Sequence, residues 1–204
     1  GNITIAAAIT SGGGTVAILA DDHLSFTATG SVDNETGANT VTLTADADAD
    51  GLDGIRLDDG SFIDATDGLI DVDARGDIVI SLLQTTTDVD VRSSVGAILD
   101  NAVESAASIK DILAANAWLE AGAGVGTTTN ALETTLHNVE ILGGTGGVFV
   151  DDDGGLVIGS IPGTAQLPDS GGEGLRAVGD IRISTTGFLT VTEDVISSGS
   201  DVEL

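Results

Sequence analysis

Short apolar alternations of period two recur along the whole chain: Ile3 and Ile5, Val16 and Ile18, Leu24 and Phe26, Val41 and Leu43, Ile55 and Leu57, Ile78 and Ile80, Val89 and Val91, Val148 and Val150, Leu156 and Ile158, Ile181 and Ile183, Leu189 and Val191. An apolar side chain at every second residue marks a β-strand with one buried face. Between the pairs lie Gly- and Asp-rich breaks such as Ser11-Gly12-Gly13-Gly14, Asp50-Gly51, Asp59-Gly60, Asp67-Gly68, Gly143-Gly144 and Gly154-Gly155. These residues supply turn chemistry, so the pattern predicts an all-β chain of short strands at close, regular spacing.

The chain also repeats itself. Gly1-Asn2-Ile3-Thr4-Ile5, Gly76-Asp77-Ile78-Val79-Ile80 and Gly179-Asp180-Ile181-Arg182-Ile183 are one pentapeptide, G-[ND]-I-x-I, written three times, with a softer echo at Gly199–Leu204. A glycine turn followed by an alternating strand suits a rung-by-rung stack, in which each rung presents an apolar stripe to the next. The 204 residues accommodate about nine rungs of roughly 20 to 25 residues. Residues 1–204 are therefore expected to form a single β-solenoid segment of a longer repetitive protein, with an Asp-rich turn region at 45–73. The competing signal is the Ala-rich stretch 93–121, where Ile98, Val103, Ile109 and Leu113 fall at helical spacing. It admits a short helical insertion near 98–112 as the alternative to a further rung.

Composition narrows the function. Hydrophobic residues make up 41%, yet there are only four Phe, one Trp and no Tyr. The core must be aliphatic, and the large rings that anchor most ligand grooves are scarce. Thirty-three acidic residues face six basic ones, a net charge of −27. Such a chain repels nucleic acid and anionic membrane surfaces and has cations as its natural counter-species. Cysteine is absent, which excludes disulfides and thiol chemistry. The N-terminal stretch lacks a basic region and a long apolar run, so neither a signal peptide nor membrane insertion is expected from it.

The sharpest local motif is Asp46-Ala47-Asp48-Ala49-Asp50-Gly51-Leu52-Asp53. Carboxylates at alternate positions followed by glycine match the first half of a calcium loop, in which oxygens at every second residue converge on one hard cation. The position where an EF-hand needs a bidentate Glu is Leu57, so the motif is closer to the short Asp loops of extracellular calcium modules. Asp46, Asp48, Asp50 and Asp53 are the candidate calcium ligands, and the alternative is a solvated acidic turn. Asp151-Asp152-Asp153 and the run Asp64, Asp67, Asp71, Asp73 are weaker candidates, more simply explained as exposed turns. The two histidines, His23 and His137, lack zinc-ligand spacing, and no G-x-S-x-G elbow accompanies His23. If Ala117 and Leu119 face inward, Trp118 stands outside, in local packing or at an interface.

Taken together, the G-D-I-x-I strands, Gly96-Ala97-Ile98-Leu99-Asp100, Asp111-Ile112-Leu113-Ala114-Ala115-Asn116, Gly122-Ala123-Gly124-Val125-Gly126, Asn130-Ala131-Leu132-Glu133-Thr134, Gly146-Gly147-Val148-Phe149-Val150 and Gly154–Gly159 resemble the filamentous-haemagglutinin-like repeats of large bacterial surface proteins. The similarity covers most of residues 76–204 and more loosely 1–75. It implies a right-handed parallel β-helix, export to the cell surface or exterior, and a part in adhesion, a biofilm-type matrix or a surface fibre. It transfers no catalytic residue. The density of carboxylates at 45–73 departs from such repeats. The expectation is thus an extracellular structural or adhesive segment and not an enzyme, self-associating or stacked on neighbouring repeats of its own chain, with a surface glycan or matrix as a further candidate partner. The alternative is a polysaccharide-processing β-helix enzyme, which requires carboxylates and cations clustered on one face.

Overall fold

The computed structural model describes residues 1–101, 110–159, 161 and 174–204. Among them there are 25 strands and no helix, in one 15-stranded and one 10-stranded sheet. Strand pairing is parallel and joins each coil to the next, the topology of a β-solenoid. The first coil sets the plan: Ile3–Ile5, Ala8–Ser11 and Val16–Leu19 occupy three positions, and the second coil returns beneath them with Leu24–Phe26, Ser31–Asn34 and Val41–Thr44. Six coils follow this plan; in the seventh and eighth a single strand, Val148–Asp152 and then Ile181–Thr185, spans the first and second positions, and Val202–Glu203 opens a ninth coil. No helix among the described residues is long and apolar enough to cross a membrane.

The inward residues stack in columns. At the first position the column reads Ile3, Leu24, Ile55, Ile78, Ile98, Val125, Val148, Ile181 and Val202. At the third position it reads Ile18, Leu43, Val72, Val91, Leu119, Ile141, Leu175 and Val195. Between Leu24 and Ile181 the first column is fully buried, and each such side chain contributes about 1.5–3 kcal/mol of burial. Because the strand period is two, a one-residue slip would turn every column outward, so the aliphatic pattern fixes the register. The coils have unequal lengths. The shortest step runs from Ile78 to Ile98 and the longest from Val148 to Ile181. In the seventh coil the third position holds two strands, since Asn138–Gly143 pairs with both Leu156–Ile158 and Leu175–Ala177.

The repeated pentapeptide has a mechanical reason. All three copies feed the first position, in the first, fourth and eighth coils. Their second residue accepts a backbone N–H from the coil stacked on it: Asn2 Oδ1 from His23 at 3.1 Å, Asp77 Oδ1 from Ala97 at 2.8 Å, and Asp180 Oδ1 from Asp201 at 3.2 Å. The glycine is needed where a preceding coil lies against it. A Cβ on Gly76 would strike the Leu52 carbonyl, whereas Gly1 has no such neighbour and open space around it.

The second position changes character along the rod. Its column runs Ile9, Val32, Ile63, Leu83, Ile112 and then turns polar at Thr134 and Asp152. Asp152 is 2% exposed and accepts from Thr134 Oγ1 and Leu136 N, each at 2.9 Å, through one oxygen. This corrects the expectation that Asp151–Asp153 is a plain exposed turn, since Asp151 and Asp152 end the strand Val148–Asp152. The helical alternative for 98–112 is overturned at both its ends, where Ala97–Asp100 and Ile112–Leu113 are strands, and residues 102–109 lie outside the described set. Asn116–Ala121 is held in six-residue register on both sides, and this pairing overrides the helical propensity of its alanines.

Candidate metal centre

The Asp-rich motif lies at the corner between Val41–Thr44 and Ile55–Leu57, and Asp22 lies at the same corner one coil earlier, between Val16–Leu19 and Leu24–Phe26. The two corners are joined by backbone bonds from Asp46 N to Asp22 O and from Ala47 N to Ala20 O, both 3.1 Å. Asp46 and Ala49 adopt left-handed backbone, with φ of 56° and 59°, and Ala49 N closes the turn onto Asp46 O at 3.0 Å. From the following corner Arg75 Nη1 donates to the carbonyls of Ala49 at 3.3 Å and Gly51 at 3.0 Å. The acidic loop is therefore held from both sides, and its carboxylates are turned toward one another.

Two sets of carboxylate oxygens converge. Those of Asp46, Asp48 and Asp50 lie within 4.8 Å of one another, and so do those of Asp22, Asp50 and Asp53. Oxygens that ligate one calcium at 2.3–2.6 Å sit at most about 5 Å apart, so each set can hold a metal ion. Asp46 is 7% exposed, and its Oδ1 accepts Gly51 N at 3.2 Å while its Oδ2 is buried without a hydrogen-bond partner. A buried carboxylate oxygen left this way costs stability unless a cation or water meets it. The mutual repulsion also shows at Asp50, whose pKa is raised chiefly by the charge of Asp48, with smaller contributions from desolvation, Asp22 and Asp46. Asp53 is met by His23 Nε2 at 2.8 Å, and His23 Nδ1 accepts Gly54 N at 3.0 Å, so the backbone bond places the neutral ring's proton on Nε2.

All four candidate ligands thus share one corner, and Asp22, invisible as a partner in the sequence, joins them. The other acidic run does not assemble as one group. Asp64 accepts Thr66 N and Asp67 accepts Thr86 Oγ1 in separate surroundings, while Asp71 and Asp73 share the outer face of the strand Ile70–Ala74 beside Arg92. His137 is exposed, on a different corner from His23.

A second acidic group escaped the sequence. Asp100, Asp111 and Glu133 bring carboxylate oxygens within 4.8 Å of one another at the corner between the first and second positions. Asp111 is 3% exposed and accepts Glu133 N at 2.8 Å. Burial, and then the charge of Asp100, push its pKa up to about 10. A third assembly lies on the outer face of the third position, where Asp71, Asp90, Trp118 and Glu140 form one column and Asp73, Arg92 and Glu120 the next. Asp90 has no exposed surface, lies 3.1 Å from Arg92 Nη2, and has its pKa raised to about 7, mainly by desolvation. Trp118 does stand outside the coil, as the alternation required, but it is 6% exposed and packs with Ile161 and Leu142.

Comparisons with protein-family models, curated proteins and solved structures find no match to this chain.

Proposed function

We propose that the chain is a structural or adhesive spacer of the cell exterior, a stack of coils that extends by stacking further coils and is stabilised by calcium at the Asp46–Asp53 corner. The observation that supports this reading is the continuity of the aliphatic columns. The first coil offers Ile3, Ile5, Ile9 and Val16, and the last offers Leu189 and Val195, each only partly buried against the core. A coil built this way is completed by another coil, either of the same protein or of a second copy. The acidity supports the same setting, since 33 carboxylates against six basic residues are best tolerated where divalent cations are plentiful.

Sedimentation velocity and solution scattering across a concentration series, with calcium and with a chelator, test the association. Elongated end-to-end oligomers favoured by calcium are expected, and a monomer throughout, indifferent to calcium, would remove the reading. For the site itself, calorimetric titration with calcium alone is expected to show binding that Asp46→Asn and Asp48→Asn weaken at least about tenfold each.

The second reading, a polysaccharide-processing enzyme, draws on the outer face where Asp71, Asp73, Asp90, Glu120 and Glu140 gather with Arg92 and Trp118. Glycosidic chemistry needs a carboxyl pair open to substrate, whereas Asp90 and Glu140 are buried. Turnover of neutral or acidic glycans, abolished by Asp71→Asn and Asp73→Asn, would decide for it.

A further inference from the structure

We propose that the acidic corner is a staple between coils, in which Asp22 of one corner and the Asp46–Asp53 loop of the next hold calcium together, so that binding the ion and docking the first coil are one event. The inference rests on the calcium reading above and adds to it a ligand and a consequence.

Asp22 lies far from the loop in sequence, yet its carboxylate forms a set with Asp50 and Asp53, all within 4.8 Å, while Asp50 also belongs to the set with Asp46 and Asp48. Asp50 is the shared member, so the two sets form one continuous acidic surface spanning two coils. The buried Asp46 Oδ2, with no hydrogen-bond partner, is the oxygen most in need of a cation there. Of the side chains already present, Arg75 donates to the carbonyls of Ala49 and Gly51, and His23 lies 2.8 Å from Asp53. None of these contacts engages Asp46, Asp48 or Asp50.

Without an ion, five carboxylates repel across the seam between the two corners. With one, the same groups draw the seam together. The first coil is otherwise held on the second by its strand ladders and by corner bonds such as Ile3 N to His23 O, Val16 N to Thr40 O and Ala20 N to Thr44 O. Ile3, Ile5, Ile9 and Val16 are only partly buried, so the first coil can respond.

The test is amide hydrogen exchange with calcium and with chelator on the full chain, alongside calorimetry, for the wild type, Asp22→Asn and Asp21→Asn. Asp21 carries the same charge one residue earlier and belongs to neither carboxylate set, so it controls for simple loss of charge. At calcium 100 times the Kd, linkage raises the protection of a segment that opens only with loss of the ion by about 100-fold. That rise is expected at Ile3, Val16 and Ala20 in the wild type and in Asp21→Asn. In Asp22→Asn, calcium is expected to bind more weakly and to leave those amides unchanged. If Asp22→Asn binds and responds as Asp21→Asn does, or if the first coil ignores calcium that binds, the staple is refuted and the site of Asp46, Asp48, Asp50 and Asp53 stands. If the wild type binds no calcium at all, the calcium reading fails and takes the staple with it.

Discussion

Asp90 offers a measurement of how much the rod gives up to hold a charge under cover. The side chain has no exposed surface and, among the described residues, neither oxygen has a hydrogen-bond partner and the one close cation is Arg92 at 3.1 Å. Its pKa rises from 3.8 to about 7, desolvation outweighing the opposing attraction of Arg92. A carboxyl with a raised folded-state pKa binds its proton more tightly folded than unfolded, so stability falls as pH climbs from about 4 to about 7 and stays lowered above that. At about 1.36 kcal/mol per unit, the penalty at pH 8 is about 4 kcal/mol. Asp90→Asn keeps the shape and removes the charge. The variant should match the wild type near pH 4 and exceed it by about 2–4 kcal/mol at pH 8, the lower end allowing for Arg92, which retains Asp71 at 3.5 Å. Urea unfolding of both proteins across this range gives the difference directly. Trp118 is Asp90's register partner on the next coil, so its fluorescence in the native state should titrate near pH 7 in the wild type and not in the variant. An Asp90→Asn chain that is less stable than the wild type at pH 8, or equally shifted at pH 4 and pH 8, would refute the argument.

Other substitutions probe the stack itself. Ile98→Ala empties a fully buried place in the first column and should cost about 2–5 kcal/mol in urea unfolding, against less than about 1 for the outward Leu99→Ala. Gly68→Ala would drive a Cβ into the Asn39 carbonyl of the preceding coil and should prevent normal stacking by circular dichroism, while Gly12→Ala, with open space around it, should be nearly silent. Asn116→Ala breaks a side-chain ladder in which Asn138 Nδ2 donates to Asn116 Oδ1 and Asn116 Nδ2 to Asp88 Oδ1, each at 2.7 Å. It should lower stability by about 1–2 kcal/mol, measured the same way.

The sequence carried the architecture because the stacking signal is local: an I-x-I pair with its glycine and its Asn or Asp acceptor defines a first-position strand wherever it occurs. The Asp46–Asp53 loop was legible for the same reason, its spacing being contained in eight residues. Asp22 was not, because coil length varies and the sequence offers no fixed offset by which to place one corner over the next. Asp90 was hidden differently. Alternation correctly turned it outward from Val89 and Val91, but outward was equated with solvated, and nothing local announces that the outer face is covered there. The alanines of 112–121 carry helical propensity, but propensity is a property of the isolated segment, and six registered residues on each side of Asn116–Ala121 make it the rung that was expected there. Asp100 and Asp111 meet at a corner that no spacing rule reaches.

A parallel stack has an electrostatic difficulty that its sequence must answer. Each outward residue stands about 4.8 Å from its counterpart on the next coil, so an acidic chain tends to build columns of like charge. Asp71 over Asp90 is such a pair. Arg92, Arg75 and Lys110 stand beside columns or corners that are otherwise acidic. Arg92 stands between Asp73 and Glu120 in its own column while lying within 3.5 Å of Asp71 and Asp90 beside it. Arg75 closes on the carbonyls of the acidic loop, and Lys110 stands 3.6 Å from Asp153. The corner of Asp22, Asp46, Asp48, Asp50 and Asp53 is a place where this device stops short: Arg75 reaches the loop's carbonyls and the His23 ring meets Asp53, which leaves five carboxylates gathered beside one guanidinium. At this corner the proposed calcium would meet the same requirement.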